Sequence, residues 1–401
     1  MRIAIFTDTF YPNIDGVVTS TISLVKTLSK KGHKILIIAP DYKKNQEIDL
    51  HSNVSIARMR SVPLPNYKEF RFVLPCFKKC LMEIKSFKPD LIHIHTYSTL
   101  GLTGSKIAKK LRLPLIGTYH TIAAEFIKYL SPSNLFCIDR LFNKSIFPRK
   151  RMKIHILKDN LLKSLVWKFT IRLYNNCDMV IASSESIKAM LKRKGLKKEI
   201  ILISPGVQLK LFQQKKTYNK KVRRILHVGR TSFEKNIEQT ILAFSDISKK
   251  YPSAEYTIIG EGPALRPLKN LSKKLGLSAR IKFLGKVPHY KLPAYYKKSD
   301  FFLTASAMET QGLVVLEAMA SGLPIIGVNK FGIKDTIKNG SNGFVVEPED
   351  FHGMSKCMET LIKNPKLVQF LGKNAAKTAK ALSVERTSNL IEKTYKKLCR
   401  Y

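Results

Sequence analysis

The sequence has no long apolar run, no paired cysteines and few acidic residues, and each shortage disfavours a class of protein. No apolar stretch approaches the roughly 20 residues that cross a bilayer, so any contact with a membrane is expected to be peripheral. The 6 cysteines are scattered and form no C-x2-C pair, which argues against a disulfide framework or a zinc site and favours a reducing compartment. The first apolar stretch ends at Thr7 and Asp8, which favours a strand over a signal peptide.

Acidic residues are scarce in both halves of the chain. In total, 29 Asp and Glu stand against 71 Lys and Arg, and the formal net charge is +42. Such a charge predicts attraction to anionic partners, namely lipid surfaces, nucleic acid or phosphorylated substrates. Lysine strongly outnumbers arginine, so the base composition of the genome is an alternative source of much of the charge.

Short apolar strands alternate with amphipathic helices along all 401 residues, in two successive series. This pattern predicts an α/β protein with two Rossmann-like, doubly wound domains that face a cleft. We expect domains at 1–209 and 210–380, a polar hinge at Lys210–Arg223, and a C-terminal helix within 381–401 that packs on the first domain. The predicted strands are Arg2–Thr7, Lys34–Ala39, Leu91–His95, Leu115–Tyr119, Met179–Ala182, Ile200–Ile203, Arg224–Val228, Glu255–Ile259, Lys282–Leu284, Phe301–Thr304 and Pro324–Gly327.

Two glutamates, Glu309 and Glu317, bracket a polar loop that leads into an apolar helix at Leu313–Ala320. The start of a helix after a glycine-containing loop presents unpaired N–H groups and the positive end of the helix dipole, which suits a phosphate. A carboxylate on each side can hold hydroxyl groups that flank the phosphate. The alternative is a capping arrangement with one solvated glutamate.

Arg230 and Lys235 lie in the loop after the predicted strand Arg224–Val228, where parallel sheets bind ligands. Together they can neutralise a leaving diphosphate without a metal ion. In so basic a chain, a solvated surface charge is the alternative for either residue. The turn Ile259–Pro263 adds two glycines after a strand, but it lacks the full G-x-G-x-x-G spacing.

Two features of the first half belong to the same candidate site. Gly16 lies in a loop between the first strand and the first helix, where it can approach a phosphate or a sugar, or form a plain turn. His120 ends a predicted strand and is expected to face the cleft, although a lone histidine is more often structural. His93 and His95 alternate along one strand and are interpreted mainly as packing residues.

These motifs in combination resemble retaining glycosyltransferase family 4, and the resemblance covers essentially the whole chain. Within that family, the opening segment Phe6–Ser20 is most similar to bacterial enzymes that glucosylate diacylglycerol. The motifs that carry the family resemblance are Glu309-x7-Glu317 with its helix, Val228-Gly-Arg with Glu234-Lys-Asn236, Ile259-Gly-Glu-Gly-Pro263, Thr118-Tyr-His120 and Ser204-Pro-Gly-Val207.

The resemblance implies a GT-B architecture, with an acceptor-binding first domain and a nucleotide-sugar-binding second domain. It assigns roles in catalysis to Glu309 on the donor sugar, to His120 near sugar and acceptor, and to Arg230 and Lys235 on the diphosphate. Glu317 then binds the ribose hydroxyls, and the remaining donor contacts come from the backbone at Gly16, Gly312 and Leu313. The leaving diphosphate is the expected base for the acceptor hydroxyl, and the expected transition state is oxocarbenium-like.

Two segments mix basic and large apolar residues, as in helices that lie in an anionic lipid interface. The first spans Arg140–Lys168 and contains the single tryptophan, and the second spans Tyr67–Lys88. The alternative for both is a crossover helix with a solvated basic face. The residues expected at the membrane are Arg149, Lys150, Arg151, Lys153, Lys158, Lys163, Trp167 and Lys168.

The expected activity is therefore transfer of glucose from UDP-glucose to the 3-hydroxyl of 1,2-diacylglycerol, by a peripheral enzyme on the cytoplasmic face of the cell membrane. The expected partners are anionic membrane lipids, diacylglycerol and UDP-glucose as co-substrate, and the sequence indicates no protein partner. No cofactor or metal is required by the motifs, although Mg²⁺ can stimulate. The alternatives are another acceptor, such as phosphatidylinositol or a soluble sugar, and a nucleic-acid-binding protein. Against nucleic-acid binding, the sequence contains no aromatic and basic recognition motif.

Overall fold

A computed structural model describes residues 1–42, 48–64, 67–122 and 149–399, with side chains outside 64–70 and 149–160. The described residues form two compact units. The first contains 1–122, 149–206 and 384–399, and the second contains 207–383. Each unit is an α/β structure built around a parallel sheet, and the two are described separately below.

The strands of the first unit are β1 (Arg2–Phe6), β2 (Lys34–Pro40), β3 (Val54–Met59), β4 (Ser61–Leu64), β5 (Tyr67–Val73), β6 (Leu91–Ile94), β7 (Leu115–Tyr119), β8 (Met179–Ala182) and β9 (Glu199–Leu202). Seven of them form a parallel sheet with strand order β3-β2-β1-β6-β7-β8-β9. Its order reverses between β1 and β6, which pair from Ile3 with Leu91 to Phe6 with Ile94. In doubly wound sheets, the loops that follow the strands at such a reversal form the ligand site.

The helices of the first unit connect these strands and include the last helix of the chain. They are α1 (Gly16–Lys30), α2 (Phe77–Phe87), α3 (Thr99–Leu111), α4 (Arg149–Tyr174), α5 (Glu185–Arg193) and α13 (Val384–Cys399). The C-terminal helix α13 is anchored by Tyr395, which is fully buried and hydrogen-bonds to His93.

The strands of the second unit are β10 (Arg224–Val228), β11 (Glu255–Ile259), β12 (Ile281–Phe283), β13 (Phe301–Leu303), β14 (Ile325–Val328) and β15 (Gly343–Val346). They form a six-stranded parallel sheet with strand order β12-β11-β10-β13-β14-β15, which reverses between β10 and β13. The helices of this unit are α6 (Ile237–Lys250), α7 (Leu265–Lys274), α8 (Leu292–Lys298), α9 (Leu313–Ala320), α10 (Phe331–Thr336), α11 (Phe351–Lys363) and α12 (Pro365–Ala381).

Both faces of the second sheet are covered, as the short apolar strands predict. Along β13, Phe301 and Leu303 join one hydrophobic cluster, whereas Phe302 joins the cluster on the other side. Successive side chains of a strand point to opposite faces, so an uninterrupted apolar strand is stable only between two layers of helices. Full burial of each such phenylalanine contributes about 1.5–3 kcal/mol. The predicted α/β fold class is confirmed.

Two sequence-based expectations about segments are wrong. The stretch Lys210–Arg223 is not a free hinge, because it lies inside the second unit. Lys215 is buried there and donates to the carbonyl oxygen of Ser299. The stretch Tyr67–Lys88 is not one amphipathic helix either. It contains strand β5, which pairs antiparallel with β4, and then the helix α2.

Among the described residues, no helix is long and apolar enough to cross a membrane.

Candidate functional site

The loops after β10 and β13 meet where the order of the second sheet reverses. Neighbouring residues of the two strands pair in parallel, Ile225 with Phe301 and Leu226 with Phe302. Lys235, from the first loop, donates a hydrogen bond through its ammonium group to Oε1 of Glu309, from the second. Each side chain is about one-fifth exposed, at 21% and 20%. The fold thus brings together two residues that the sequence had assigned to one diphosphate-sugar site.

The carboxylate of Glu309 is held in its charged form. Burial alone raises its pKa, but the charge and hydrogen bond of Lys235 and a hydrogen bond from Ser306 outweigh burial and lower it. The Ser306 hydroxyl donates at 3.2 Å. The backbone of the loop is fixed as well, because the Gly332 N–H donates to the carbonyl oxygen of Glu309 at 3.0 Å. Sequence reasoning missed Ser306 and Gly332, which no recognised motif contains.

Gly312 precedes α9 in a left-handed conformation, with φ of +77°. A Cβ atom at this position would lie 3.2 Å from Cδ1 of Ile333. Leu313 then begins the helix, and the first turn carries no acidic side chain. The predicted loop and helix are confirmed. The Val315 N–H already donates to the carbonyl oxygen of Gly312 at 2.9 Å. The anion site at this helix start therefore depends on the N–H groups of Leu313 and Val314 and on the positive helix end.

Arg230 is oriented by a buried carboxylate. Its Nη2 lies 3.3 Å from Oε1 of Glu234, which is 3% exposed. The hydroxyl of Ser232 donates to the same oxygen. Arg230 therefore keeps a defined position in the loop after β10, close in sequence to Lys235.

The glycines of the turn after β11 allow two backbone segments to touch. A Cβ atom on Gly260 would lie 1.8 Å from the carbonyl oxygen of Gly229, and one on Gly262 would lie 2.4 Å from that of Thr231. The Thr231 N–H donates to the carbonyl oxygen of Glu261 at 3.0 Å. These glycines therefore support the loop that carries Arg230.

Glu317 is 4% exposed and already has two partners. Its Oε1 lies 2.8 Å from Nε2 of His289, and its Oε2 accepts from the hydroxyl of Tyr296 at 3.0 Å. Burial alone lowers the pKa of His289, but the hydrogen bond and charge of Glu317 outweigh burial and raise it. His289 and Tyr296 were not predicted, because no motif marks them.

In the first unit, Gly16 is the first residue of α1. Asp15 caps this helix, accepting from the Val18 N–H at 2.9 Å. The other carboxylate oxygen of Asp15 accepts from the hydroxyl of Thr9 at 2.7 Å and the side-chain amide of Asn13 at 3.0 Å. The loop is thus an ordered turn at the reversal of the first sheet, and its contact with a donor remains a prediction.

His120 follows β7 and contacts a second histidine. Its Nε2 lies 3.0 Å from Nδ1 of His95, which also lies 3.2 Å from the hydroxyl of Thr21. Burial lowers the pKa of His120 to about 4. Burial, followed by the charges of His93 and His120, lowers the pKa of His95. Both imidazoles are therefore neutral near pH 7, so one donates to the other.

His93 is a packing residue, as predicted. It is fully buried, with Nδ1 2.6 Å from the hydroxyl of Tyr395 and Nε2 2.7 Å from that of Thr118. Its ring lies 4.1 Å from that of His95, which confirms that the two histidines share one face of the strand.

The residues expected at the membrane lie on α4, and one of them is misassigned. Trp167 is only 5% exposed and stacks on Tyr119, so it is unavailable as a membrane anchor. Among the side chains of the helix that the structure describes, from residue 161 onward, the exposed large apolar ones are Leu161, Leu162, Leu165 and Phe169. Lys168 is exposed and Lys163 is half-buried. The side chains of Arg149, Lys150, Arg151, Lys153 and Lys158 lie outside the described residues.

The described residues contain no group of three or more histidine, cysteine, aspartate or glutamate side chains placed to hold a metal ion.

Sequence comparison gives relatives over nearly the whole chain. The family described as Glycosyltransferase Family 4 matches residues 14–211, and that described as Glycosyl transferases group 1 matches residues 210–378. An alpha-monoglucosyldiacylglycerol synthase of Streptococcus pneumoniae is 30% identical over 379 residues, which cover 91% of this chain and 79% of the relative. One of Acholeplasma laidlawii is 30% identical over 422 residues, covering 99% of each.

Structural comparison gives the same fold. A sucrose-phosphate synthase from Thermosynechococcus elongatus superimposes with a TM-score of 0.75 at 20% identity, covering 99% of each chain. This likeness, together with the two family matches, confirms the expected GT-B type of fold.

Proposed function

The chain belongs to glycosyltransferase family 4, and we propose that it transfers glucose from UDP-glucose to the 3-hydroxyl of 1,2-diacylglycerol. The observation that carries this proposal is the pair of near-full-length relatives named alpha-monoglucosyldiacylglycerol synthase. UDP-glucose is itself an α-glycoside, so an α-linked product corresponds to retention of configuration. The remaining steps derive how the residues of this chain serve that transfer.

The diphosphate of the donor binds Arg230 and Lys235, and the N–H groups around Gly312 and Leu313 at the start of α9 complete its site. Negative charge grows on the diphosphate as the bond to glucose breaks. Fixed positive groups stabilise that charge more in the transition state than in the ground state, and so accelerate the reaction. Because these groups supply the positive charge, we expect transfer to proceed without a metal ion.

The two glutamates bind the hydroxyl groups on either side of the diphosphate. Glu309, kept ionised by Lys235, accepts from the glucose hydroxyls, and its charge also favours an oxocarbenium-like transition state. Glu317 accepts from the ribose hydroxyls with the lone pairs that His289 and Tyr296 leave available, since a carboxylate offers about four. His120 is neutral and lies near the sugar and the acceptor. The leaving diphosphate takes the proton of the acceptor hydroxyl.

Diacylglycerol stays in the bilayer, so the enzyme has to dock on a membrane. We propose that it docks on the cytoplasmic face of the cell membrane. The exposed residues Leu161, Leu165 and Phe169 on α4 support this proposal, together with Lys168. Apolar side chains enter the interface while the lysine approaches anionic headgroups. Each such basic residue adds about 1 kcal/mol of attraction.

The test is transfer of labelled glucose from UDP-glucose to diacylglycerol in mixed vesicles containing EDTA, with the anionic lipid fraction varied. The expected product is glucosyl-diacylglycerol with an α linkage, formed faster as anionic lipid increases. A β linkage would contradict retention. Transfer only to phosphatidylinositol or to a soluble sugar would reject the acceptor while keeping the glycosyltransferase. Loss of activity in EDTA, restored by Mg²⁺, would reject metal-independent transfer.

A further inference from the structure

Three side chains of the second unit surround the carboxylate of Glu317, which is 4% exposed on α9. His289 lies in the turn between β12 and α8, Tyr296 lies in α8, and Phe212 lies in the segment before β10. We call His289, Tyr296 and Phe212 the Glu317 cradle. Because its members come from separate segments, the fold and not one motif brings them to this carboxylate.

His289 gives Glu317 the hydrogen bond that no other acceptor shares. Its Nε2 lies 2.8 Å from Oε1 of Glu317. The hydroxyl of Tyr296 lies 3.0 Å from Oε2, but it also lies 3.3 Å from the carbonyl oxygen of Val314. A phenol has one proton, so these two acceptors compete for it. A carboxylate only accepts, so Nε2 of His289 carries a proton in the neutral and in the charged imidazole and donates it to Glu317.

The rings of both donors pack against the same phenylalanine. Phe212 is 1% exposed, and its ring centre lies 5.3 Å from that of His289 and 5.5 Å from that of Tyr296. The interplanar angles of 69° and 84° are those of edge-to-face contacts, which favour one relative orientation. Tyr296 is fully buried, whereas the side chain of His289 is 28% exposed. Replacement of His289 therefore disturbs the core least.

The two donors leave the carboxylate a defined capacity to bind. Among the described residues, the side chain of Glu317 hydrogen-bonds His289 on one oxygen and Tyr296 on the other, with no third partner. A carboxylate offers about four lone-pair sites, so each oxygen keeps about one. Two acceptor sites side by side match two neighbouring hydroxyl groups, and their direction depends on the donors that hold the carboxylate.

We propose that His289 is a positioning residue for the donor nucleotide: it holds the Glu317 carboxylate so that its remaining lone pairs accept from the ribose hydroxyls. The inference rests on the proposed function, which places the ribose at Glu317. It goes further, because it makes a residue outside every recognised motif responsible for the preference for a ribonucleotide over a deoxyribonucleotide. His289 acts through Glu317 and not by its own contact with the sugar.

Calorimetric titration of the full-length protein with UDP and with 2′-deoxy-UDP tests this inference. The wild type should bind UDP about tenfold more tightly or better, because the missing hydroxyl leaves a buried acceptor unpaired. The variant H289L has a similar side-chain volume but no donor. It should bind UDP about tenfold more weakly and prefer UDP by less than about threefold, since it no longer orients the carboxylate. H289Q carries an N–H group at a similar reach and should restore most of the preference.

The matched control is H352L, which removes a histidine that lies 3.2 Å from Asp246 but whose side chain is 71% exposed. It should bind both nucleotides like the wild type. Equal weakening of UDP and 2′-deoxy-UDP in H289L would show a purely structural role and overturn the inference. A wild type that does not distinguish the two nucleotides would also overturn it, as would the same loss of preference in H352L.

Transfer of glucose to diacylglycerol separates this inference from the proposed function. H289L should raise the KM for UDP-glucose and change kcat much less, because the ribose lies far from the bond that breaks. If the wild type transfers glucose but H289L keeps the full preference for UDP, the inference fails and the function stands. If the wild type transfers no glucose to diacylglycerol but the nucleotide preferences are as expected, the proposed acceptor fails and the role of His289 stands.

Discussion

Lys235 donates its hydrogen bond to Glu309 across 74 residues of sequence, within one unit of the structure. The pair joins the loops that follow β10 and β13, the two strands at which the sheet order reverses. A cation suited to a diphosphate and an anion suited to sugar hydroxyls are therefore already assembled in the same unit.

Replacement of Lys235 by alanine should lower kcat about 100-fold or more, the scale seen when one transition-state charge partner is removed. Because Lys235 and Glu309 act as a unit, the kcat of the double variant K235A/E309A should fall by less than the product of the two single-variant factors. Steady-state transfer rates of the single and double variants measure the fall in kcat and the departure from a simple product.

The matched control is K250A, which removes an ammonium group from a more exposed ion pair with Glu359. It should retain transfer within about twofold, since exposed pairs contribute little. Independent, multiplicative effects of K235A and E309A would contradict the role of the pair.

Replacement of Glu317 by glutamine should raise the KM for UDP-glucose about tenfold and change kcat much less. The ribose lies far from the bond that breaks, so its contacts bind ground state and transition state alike. The control E359Q changes a carboxylate remote from the site and should leave the KM unchanged. A large fall in kcat at constant KM would place Glu317 at the reacting centre instead.

Replacement of His120 by asparagine should lower kcat, and the ratio of wild-type to variant kcat should stay constant from pH 6 to pH 8. The reason is that burial lowers the pKa of His120 to about 4, so the imidazole is neutral throughout this range. A ratio that changes tenfold across this range would show that His120 acts through its charged form.

Burial of His227 should make the stability of the second unit depend on pH. Its pKa falls from 6.5 to about 4 because burial disfavours the charged ring. The unfolded chain therefore binds more protons between these values, and the free energy of unfolding falls as pH drops below 6.5. The loss at pH 5 is about 2 kcal/mol for one such histidine.

Urea unfolding at pH 7 and pH 5 measures this effect. The variant H227Q should lose less stability between the two pH values than the wild type does. The control H51Q changes an exposed histidine and should keep the wild-type difference. An unchanged difference in H227Q would show that His227 does not contribute.

The sequence predicted the central strands well because they are buried on both faces. Arg224–Val228 and Glu255–Ile259 are apolar runs bounded by charged residues and glycine, and their observed bounds match. The outer strands β3 and β15 were missed, because partial burial gives a mixed pattern of polar and apolar residues. A strand that is only partly buried carries a weaker apolar pattern than a central one.

Sequence motifs alone did not determine several contacts of the candidate site. Motifs placed Glu309 and Lys235 near a ligand, but their ion pair depends on the order of the strands. His289 was missed because only packing brings it to Glu317. Trp167 was assigned to a membrane surface from composition, whereas its stacking on Tyr119 buries it. A helix with apolar residues on several faces does not reveal which face is covered.

Replacement of Gly260 by alanine should both destabilise the second unit and weaken donor binding. The added Cβ would lie 1.8 Å from the carbonyl oxygen of Gly229. The two loops therefore have to separate, and this displaces the loop that carries Arg230.

The matched control is G276A, because Gly276 also has a positive φ, of +70°, but no atom lies within 4 Å of the added Cβ. It should cost only about 1 kcal/mol from backbone strain. Gly260→Ala should cost about 3 kcal/mol in urea unfolding and raise the KM for UDP-glucose. Equal effects of the two variants would mean that backbone conformation, and not the contact between the loops, requires glycine at position 260.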